Sequence, residues 1–204
     1  MRPYRLRSVL ISVCVTSAVA LSGAVPAVAQ SPDAPPRTVA GARSLTVLTD
    51  LFAERLLVAD KVAAAKYGTS TPIDDPVREK AILDDVAARA VGLGLDPDAV
   101  TAVFRDQIEA NKLVQRGLYA RWDAHPEERP TERPDLVKEV RPVLDRITTQ
   151  VLSALADTEP LRAGASCEPR LRLAAIRSTY THHLDLLHAE GLVRALPSVC
   201  GERP

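Results

Sequence analysis

Apolar residues recur three or four positions apart along most of this chain, starting near residue 44. This spacing predicts α-helices, because it places apolar side chains on one face of each helix. We find no alternating strand pattern and no internal repeat. Proline, glycine and aspartate divide the pattern into five predicted helices, at about residues 44–67, 76–91, 97–124, 135–157 and 169–190. The predicted fold class is all-α, a single-domain helical bundle of about five to six helices.

The first 29 residues have a different pattern. Three arginines precede the apolar stretch SVLISVCVTSAVALSGAV, and small residues follow it up to Ala29. This order predicts a signal peptide over residues 1–29, cleaved after about Ala29. The rival interpretation, a membrane anchor, is disfavoured because Ser, Thr and Gly interrupt the apolar run.

The predicted cleavage divides the chain into three parts. Residues 30–43 are polar and proline-rich, which predicts a disordered leader. Residues 44–204 form the predicted helical domain. We expect a secreted or extracytoplasmic protein that has no membrane contact after cleavage.

The charge balance argues against a nucleic-acid partner. The chain has 26 basic and 26 acidic residues, and the signal peptide removes three arginines and no acid, which leaves a formal charge of −3. The chain also has only one Trp, four Tyr and two Phe. Nucleic-acid binding requires a basic excess and usually aromatic stacking, so we expect no such partner.

Two cysteines, Cys167 and Cys200, remain after the predicted cleavage. An even pair in an oxidising compartment predicts a disulfide. On the chain-entropy model, a bridge over about 34 residues stabilises a fold by roughly 3–4 kcal/mol. The alternatives are a reactive thiol or a metal ligand. No CxxC or HxxxH spacing supports a metal site, and we expect no metal and no cofactor.

The first predicted helix carries two cations on its apolar face. Its inward positions at 4-3-4-3-4 spacing are Leu48, Phe52, Arg55, Ala59, Val62 and Lys66. Arg55 and Lys66 are 11 residues apart, so at about 100° per residue they point in nearly the same direction, roughly 16 Å apart along the axis. Side chains from both can therefore reach one spot between them.

The third predicted helix carries an amide pair at the equivalent spacing. Asn111 and Gln115 interrupt the face formed by Phe104, Ile108, Leu118 and Trp122. Further cations are Arg78, three residues after Asp75, and Arg141 on the fourth predicted helix.

Several buried cations require a neutralising anion, which can come from the protein or from a ligand. On the structural interpretation, the cations extend to the helix edge and pair with Glu54, Asp60, Asp74 or Asp75, and the amides fix helix register. The combination of cations and amides on several helices favours a pocket for a small organic dianion instead.

Four stretches, AERLLVADKVAAAKY, PIDDPVRE, FRDQIEANKLVQ and RGLYARW, resemble the all-helical chorismate mutases in order and spacing. The similarity is greatest to their exported subclass, over about residues 45–200. This resemblance implies a cleaved signal peptide, no fused second enzyme, a C-terminal disulfide and a homodimer with one whole site per chain.

The resemblance also implies roles for the four cations. Arg55 and Arg141 correspond to the arginines that clamp a substrate carboxylate. Lys66 corresponds to the cation that donates a hydrogen bond to the ether oxygen of chorismate. Arg78 corresponds to a further substrate-binding arginine.

The resemblance implies three further site residues, one acid and two amides. Asp75 corresponds to an acid near the substrate hydroxyl, and Asn111 to a small polar residue that contacts the substrate. Gln115 corresponds to the Gln or Glu that faces the ether oxygen opposite the lysine. Ile82 departs from the pattern, because some relatives have a polar Gln there.

The implied reaction is the rearrangement of chorismate to prephenate, with Lys66, Gln115 and Arg55 as catalytic residues and chorismate as the small-molecule partner. Two other functions compete with this one. A secreted helical module could bind a carboxylate or phosphate ligand without turnover. A structural bundle could engage a partner through the loop HPEERPTERP, and it would pair its cations with its own acids and leave no cavity.

Overall fold

The computed structural model describes residues 44–201, and these residues form six α-helices and no strand. The helices are α1 Leu45–Lys66, α2 Pro76–Gly92, α3 Pro97–Ala124, α4 Arg141–Arg162, α5 Cys167–Thr181 and α6 Leu186–Arg194. A short 3₁₀ turn, Pro126–Glu128, follows α3, and a π-helical turn, Leu136–Val140, precedes α4. The predicted all-α bundle is confirmed. The predicted signal peptide and leader lie outside the described residues.

The helix starts follow the local sequence. The side chains of Ser44, Asp75 and Asp96 each accept a hydrogen bond from a backbone N–H in the first turn of α1, α2 and α3. Prolines follow Asp75 and Asp96 at the first helical position, where no N–H is needed. These caps give α2 and α3 the starts that the sequence predicts.

The predicted fifth helix, residues 169–190, is wrong as a single element, because the structure divides it into α5 and α6. The break falls at His183, whose φ of 50° is left-handed, and Asp185 then caps α6 by accepting a hydrogen bond from the His188 N–H. Apolar residues on both sides face the same core, so the periodicity continues across the break. A left-handed residue that is not glycine gives little sequence signal.

The predicted fourth helix, residues 135–157, has different bounds in the structure. Asp135 caps the π-helical turn Leu136–Val140, so Pro142 lies in the first turn of regular α4 and does not kink it. At the other end α4 continues to Arg162, with Pro160 in its last turn. The predicted loop after residue 157 is therefore partly helical.

Helix α1 lies at the centre of the bundle and packs against α3, α4, α5 and α6. Its residues Leu48, Phe52 and Leu56 are almost completely buried. Gly191 lets α6 approach closely, since a Cβ there would lie 2.9 Å from Val114 Cγ2 and 3.1 Å from Leu56 Cδ2. No helix among residues 44–201 is long and apolar enough to cross a membrane.

The predicted disulfide is confirmed. Cys167, the first residue of α5, is bonded to Cys200 after α6, with a Cα–Cα distance of 5.8 Å. The bridge ties the end of the described chain to the loop after α4. It excludes the reactive-thiol and metal-ligand interpretations, because both sulfurs are bonded.

A buried histidine connects α6 to α1. His188 is 5% exposed, its Nε2 lies 2.9 Å from Asp60 Oδ1, and its Nδ1 lies 2.6 Å from Asp185 Oδ1. The hydrogen bond with Asp60 is the main cause that raises the pKa of His188 to about 8, and Asp185 adds to it. The positive charge of Arg121 on α3 also favours the ionised carboxylate of Asp185. Only the imidazolium form of His188 can donate hydrogen bonds to both carboxylates at once, so this contact is strongest when His188 is protonated.

The pKa of His188 makes stability pH-dependent. Because the folded pKa exceeds the unfolded one of about 6.5, the contribution is complete below about pH 6.5 and is lost as pH rises through about 8. We expect the free energy of unfolding to fall by about 2 kcal/mol over that range in the parent, relative to His188→Gln. Urea unfolding of both proteins at a series of pH values measures this difference. Parallel curves for parent and variant would contradict it.

Candidate active site

A cavity of about 580 Å³ lies between α1, α2, α3 and the start of α4. All seven residues singled out from the sequence line it: Arg55, Lys66, Asp75, Arg78, Asn111, Gln115 and Arg141. These seven residues lie on four helices, or at the starts of those helices, that are far apart in sequence. Their proximity therefore depends on how the bundle packs. Ile82 lines the same cavity and contributes an apolar wall where some relatives have Gln.

Arg55 is the most deeply buried cation of the site, with 5% of its surface exposed. Its Nη1 donates a hydrogen bond to Thr148 Oγ1 at 3.3 Å, and its buried Nε has no partner. The guanidinium carbon lies 5.9 Å from the centre of the Phe104 ring. Within residues 44–201, no acid forms an ion pair with Arg55. Burial lowers its pKa to about 10 despite the nearby charge of Asp145, so Arg55 remains a cation at neutral pH.

Lys66, the last residue of α1, is half-buried at the other end of this face. Its Nζ donates a hydrogen bond to the Pro72 carbonyl oxygen at 2.9 Å, and its own carbonyl accepts from the hydroxyl of Thr69. The loop between α1 and α2 therefore folds around this residue. Burial lowers the pKa of Lys66, and the nearby charge of Asp75 offsets this in part. An ammonium that is bonded to a carbonyl, with no ion pair in the described chain, can turn toward an anion in the cavity.

Arg78 and Arg141 lie at the more exposed rim of the cavity, at the starts of α2 and α4. Neither forms an ion pair with an acid of the described chain. Asp75 caps α2 by accepting a hydrogen bond from the Arg78 N–H at 3.0 Å. This cap fixes the first turn of α2, so Asp75 and Arg78 enter the cavity from the same turn.

The two amides form a connected pair. Gln115 is 3% exposed, and its Nε2 donates to Asn111 Oδ1 at 2.7 Å. Asn111 Nδ2 donates in turn to the Arg55 carbonyl oxygen at 3.4 Å. Gln115 Oε1 is buried without a partner. The same Nε2 lies 3.5 Å from the Asn111 carbonyl oxygen, which is too long for a strong hydrogen bond, so one of the two N–H hydrogens of the Gln115 amide is only weakly engaged.

Thr148, Glu79 and Lys112 are among the lining residues for which the sequence predicted no role. The sequence did contain a signal for Glu79, because an acid in the first turn of a helix often accepts a hydrogen bond from the N–H of the cap, as Glu79 Oε1 does from Asp75 N at 3.3 Å. Lys112 and Thr148 had none, since they lie beside the apolar stripes and their contacts depend on how the helices pack.

The structure argues against a purely structural bundle. That interpretation requires Arg55, Lys66 and Arg78 to pair with protein acids and leave no cavity. The cavity is present, and none of these three cations forms an ion pair with residues 44–201. Fold and site together define an all-helical protein with a cationic interior cavity for a small dianion.

Comparisons with known proteins identify the family. The sequence family described as Chorismate mutase type II matches residues 46–116. A secreted chorismate mutase from Mycobacterium tuberculosis is 35% identical over 164 residues, which cover 80% of this chain and 82% of the relative. A secreted chorismate mutase from Mycolicibacterium smegmatis is 32% identical over 166 residues, with 81% and 91% covered.

A solved structure agrees with these relatives. The crystal structure of chorismate mutase from Burkholderia thailandensis has a TM-score of 0.73 and 39% sequence identity, and the similarity covers 76% of this chain and 98% of that one. This chain belongs to the chorismate mutase family, which confirms the resemblance seen in its sequence. Members of this family are isomerases that rearrange chorismate to prephenate, and the secreted relatives support export of this chain.

Proposed function

We propose that the cavity rearranges chorismate to prephenate through Arg55, Lys66 and Gln115, with Asp75, Arg78, Asn111 and Arg141 as further substrate contacts. The burial of Arg55 in the cavity wall supports this proposal, because no acid of residues 44–201 forms an ion pair with it and only the charge of Asp145 acts on it from a distance. A buried cation without an ion-pair partner is costly, and a dianionic substrate supplies the missing contact.

The reaction needs no nucleophile and no obligatory proton transfer, because it is a pericyclic Claisen rearrangement. The protein has to hold a flexible dianion in a compact chair-like conformer. Arg55 and Arg141 line the cavity from α1 and α4, and in this proposal they clamp one carboxylate between them. Arg78 binds the substrate from α2. Contacts from three helices fix the conformer better than contacts from one.

The second task is to stabilise negative charge that grows on the ether oxygen as the C–O bond breaks. Lys66 turns from the Pro72 carbonyl toward this oxygen, and Gln115 donates its remaining amide hydrogen from the other side. Both interactions strengthen as charge develops, so they lower the barrier more than they tighten substrate binding. Asp75 lies near the substrate hydroxyl, and Asn111 contacts the substrate while it holds Gln115.

Lys66→Ala tests the first of these contacts. We expect kcat/KM to fall by at least roughly two orders of magnitude, because the variant loses the cation that faces the developing charge. The measurement is the loss of chorismate absorbance with purified protein starting at residue 30. Lys61→Ala is the matched control, since Lys61 lies on the same helix and is exposed.

The outcomes of this assay separate the competing functions. Near-normal turnover in a folded Lys66→Ala would contradict the role of Lys66. No turnover in a folded, disulfide-bonded parent would leave a module that binds carboxylates or phosphates without catalysis.

Gln115→Glu tests the second contact through its pH dependence. An amide donates a hydrogen bond without a proton from solvent, whereas a carboxyl donates only when protonated. We expect the activity of the parent to be nearly flat from mildly acidic to neutral pH, and the optimum of Gln115→Glu to move to acid. The pH profiles of kcat/KM measure this shift. Identical profiles would remove Gln115 from the ether-oxygen role.

We further propose that export removes residues 1–29 and that the mature protein is a homodimer with a whole site in each chain. All seven proposed site residues lie in a single chain, which agrees with one site per protomer. Intact mass of the exported protein is expected to match cleavage after Ala29, and sedimentation is expected to give twice the chain mass. A retained N-terminus would refute the cleavage, and a sedimenting monomer would refute the dimer.

A further inference from the structure

A second pair of residues on α3, Lys112 and Arg116, holds the loop that leads into α2. Lys112 Nζ lies 3.2 Å from Asp74 Oδ1, 3.2 Å from Glu79 Oε1 and 2.5 Å from Glu109 Oε1. Arg116 Nη2 donates to both oxygens of Asp74, at 2.7 and 2.8 Å. The pair has the same i, i+4 spacing as Asn111 and Gln115 and follows them by one residue. Helix α3 therefore contacts the cavity with one pair and the loop with the other.

Lys112 differs from the arginines that the proposed mechanism assigns to the substrate. Three carboxylates neutralise this buried lysine, whereas Arg55, Arg78 and Arg141 form no ion pair within residues 44–201. A cation whose charge is already satisfied gains little from a dianionic ligand. Its three carboxylates outweigh burial and raise the pKa of Lys112, so it stays charged. Its chemistry suits a structural contact to α2 and does not suit substrate binding.

The partners of Lys112 flank the proposed substrate contacts of α2. Asp74 directly precedes Asp75, and Glu79 directly follows Arg78. Glu79 also accepts a hydrogen bond from the Asp75 N–H at 3.3 Å. A contact that holds Asp74 and Glu79 therefore determines where Asp75 and Arg78 lie relative to α3.

We propose that Lys112 is a positioning residue that fixes the first turn of α2 against α3, so that Asp75 and Arg78 stand opposite Asn111 and Gln115. This inference rests on the proposed function of the cavity. The loop has a second attachment, from Lys66 Nζ to the Pro72 carbonyl, which the proposed mechanism breaks when Lys66 turns to the substrate. The contacts of Lys112 do not involve the substrate, so they hold the loop during turnover.

Lys112→Met tests this role, since it keeps the length of the side chain and removes its charge. We expect KM for chorismate to rise roughly tenfold and kcat to change by less than about threefold, because misplaced binding groups weaken substrate binding.

Three further variants make the test specific. Lys112→Met with Glu79→Gln is expected to keep the raised KM of Lys112→Met, because both substitutions break the same contact. Lys80→Met is the control, since Lys80 is an exposed lysine of α2 that pairs with Asp84, and it is expected to match the parent. If Lys112→Met does not fold, Lys112→Gln is expected to show the same raised KM.

The results distinguish this inference from the proposed function. A parent that turns over chorismate, with folded Lys112 variants that share its KM, would overturn only the positioning role. Lower thermal stability with unchanged kinetics would assign Lys112 a merely structural contact and overturn the role as well. A folded parent without turnover would overturn both proposals.

Discussion

The burial of Arg55 without a carboxylate partner is the constraint on which the rest of the site depends. Moving a charge out of water costs several kcal/mol even after the protein relaxes. Among residues 44–201, Arg55 has in return the hydroxyl of Thr148, the face of Phe104 and the more distant charge of Asp145, but no ion pair. The apolar packing of α1 against four other helices stabilises the fold and offsets this cost. A protein selected for stability alone would place an apolar residue there, so the cation indicates a ligand.

Acids do occur at the cavity, but none of them forms an ion pair with Arg55. Glu79 is held by Lys112, and Asp75 caps α2. Asp145 acts on Arg55 only through its charge, so the guanidinium keeps its hydrogen-bonding capacity for a ligand. In this arrangement helix α3 separates two functions: one i, i+4 pair supplies neutral amides to the cavity, and the next pair holds the loop in place.

Much of this architecture could be predicted from the sequence, because it is local. The caps of α2 and α3, and the angular match of Arg55 and Lys66 on α1, follow from helix geometry alone. The break at His183 could not be predicted, since the apolar periodicity runs through it. Lys112 was missed for a related reason, because its role depends on tertiary contacts with α2, and a charged residue beside an apolar stripe usually indicates only solvent exposure.

Calorimetric titration with a non-reactive cyclic dicarboxylate that mimics the chair-like transition state shows whether Arg55 is buried in order to bind a dianion. If Arg55 is buried to receive a dianion, the parent binds one molecule per chain, chorismate competes for it, and Arg55→Met abolishes binding while its free energy of unfolding stays equal or rises. If Arg55→Met remains folded and binds the dicarboxylate as tightly as the parent, the buried cation does not serve the ligand, and the account is wrong.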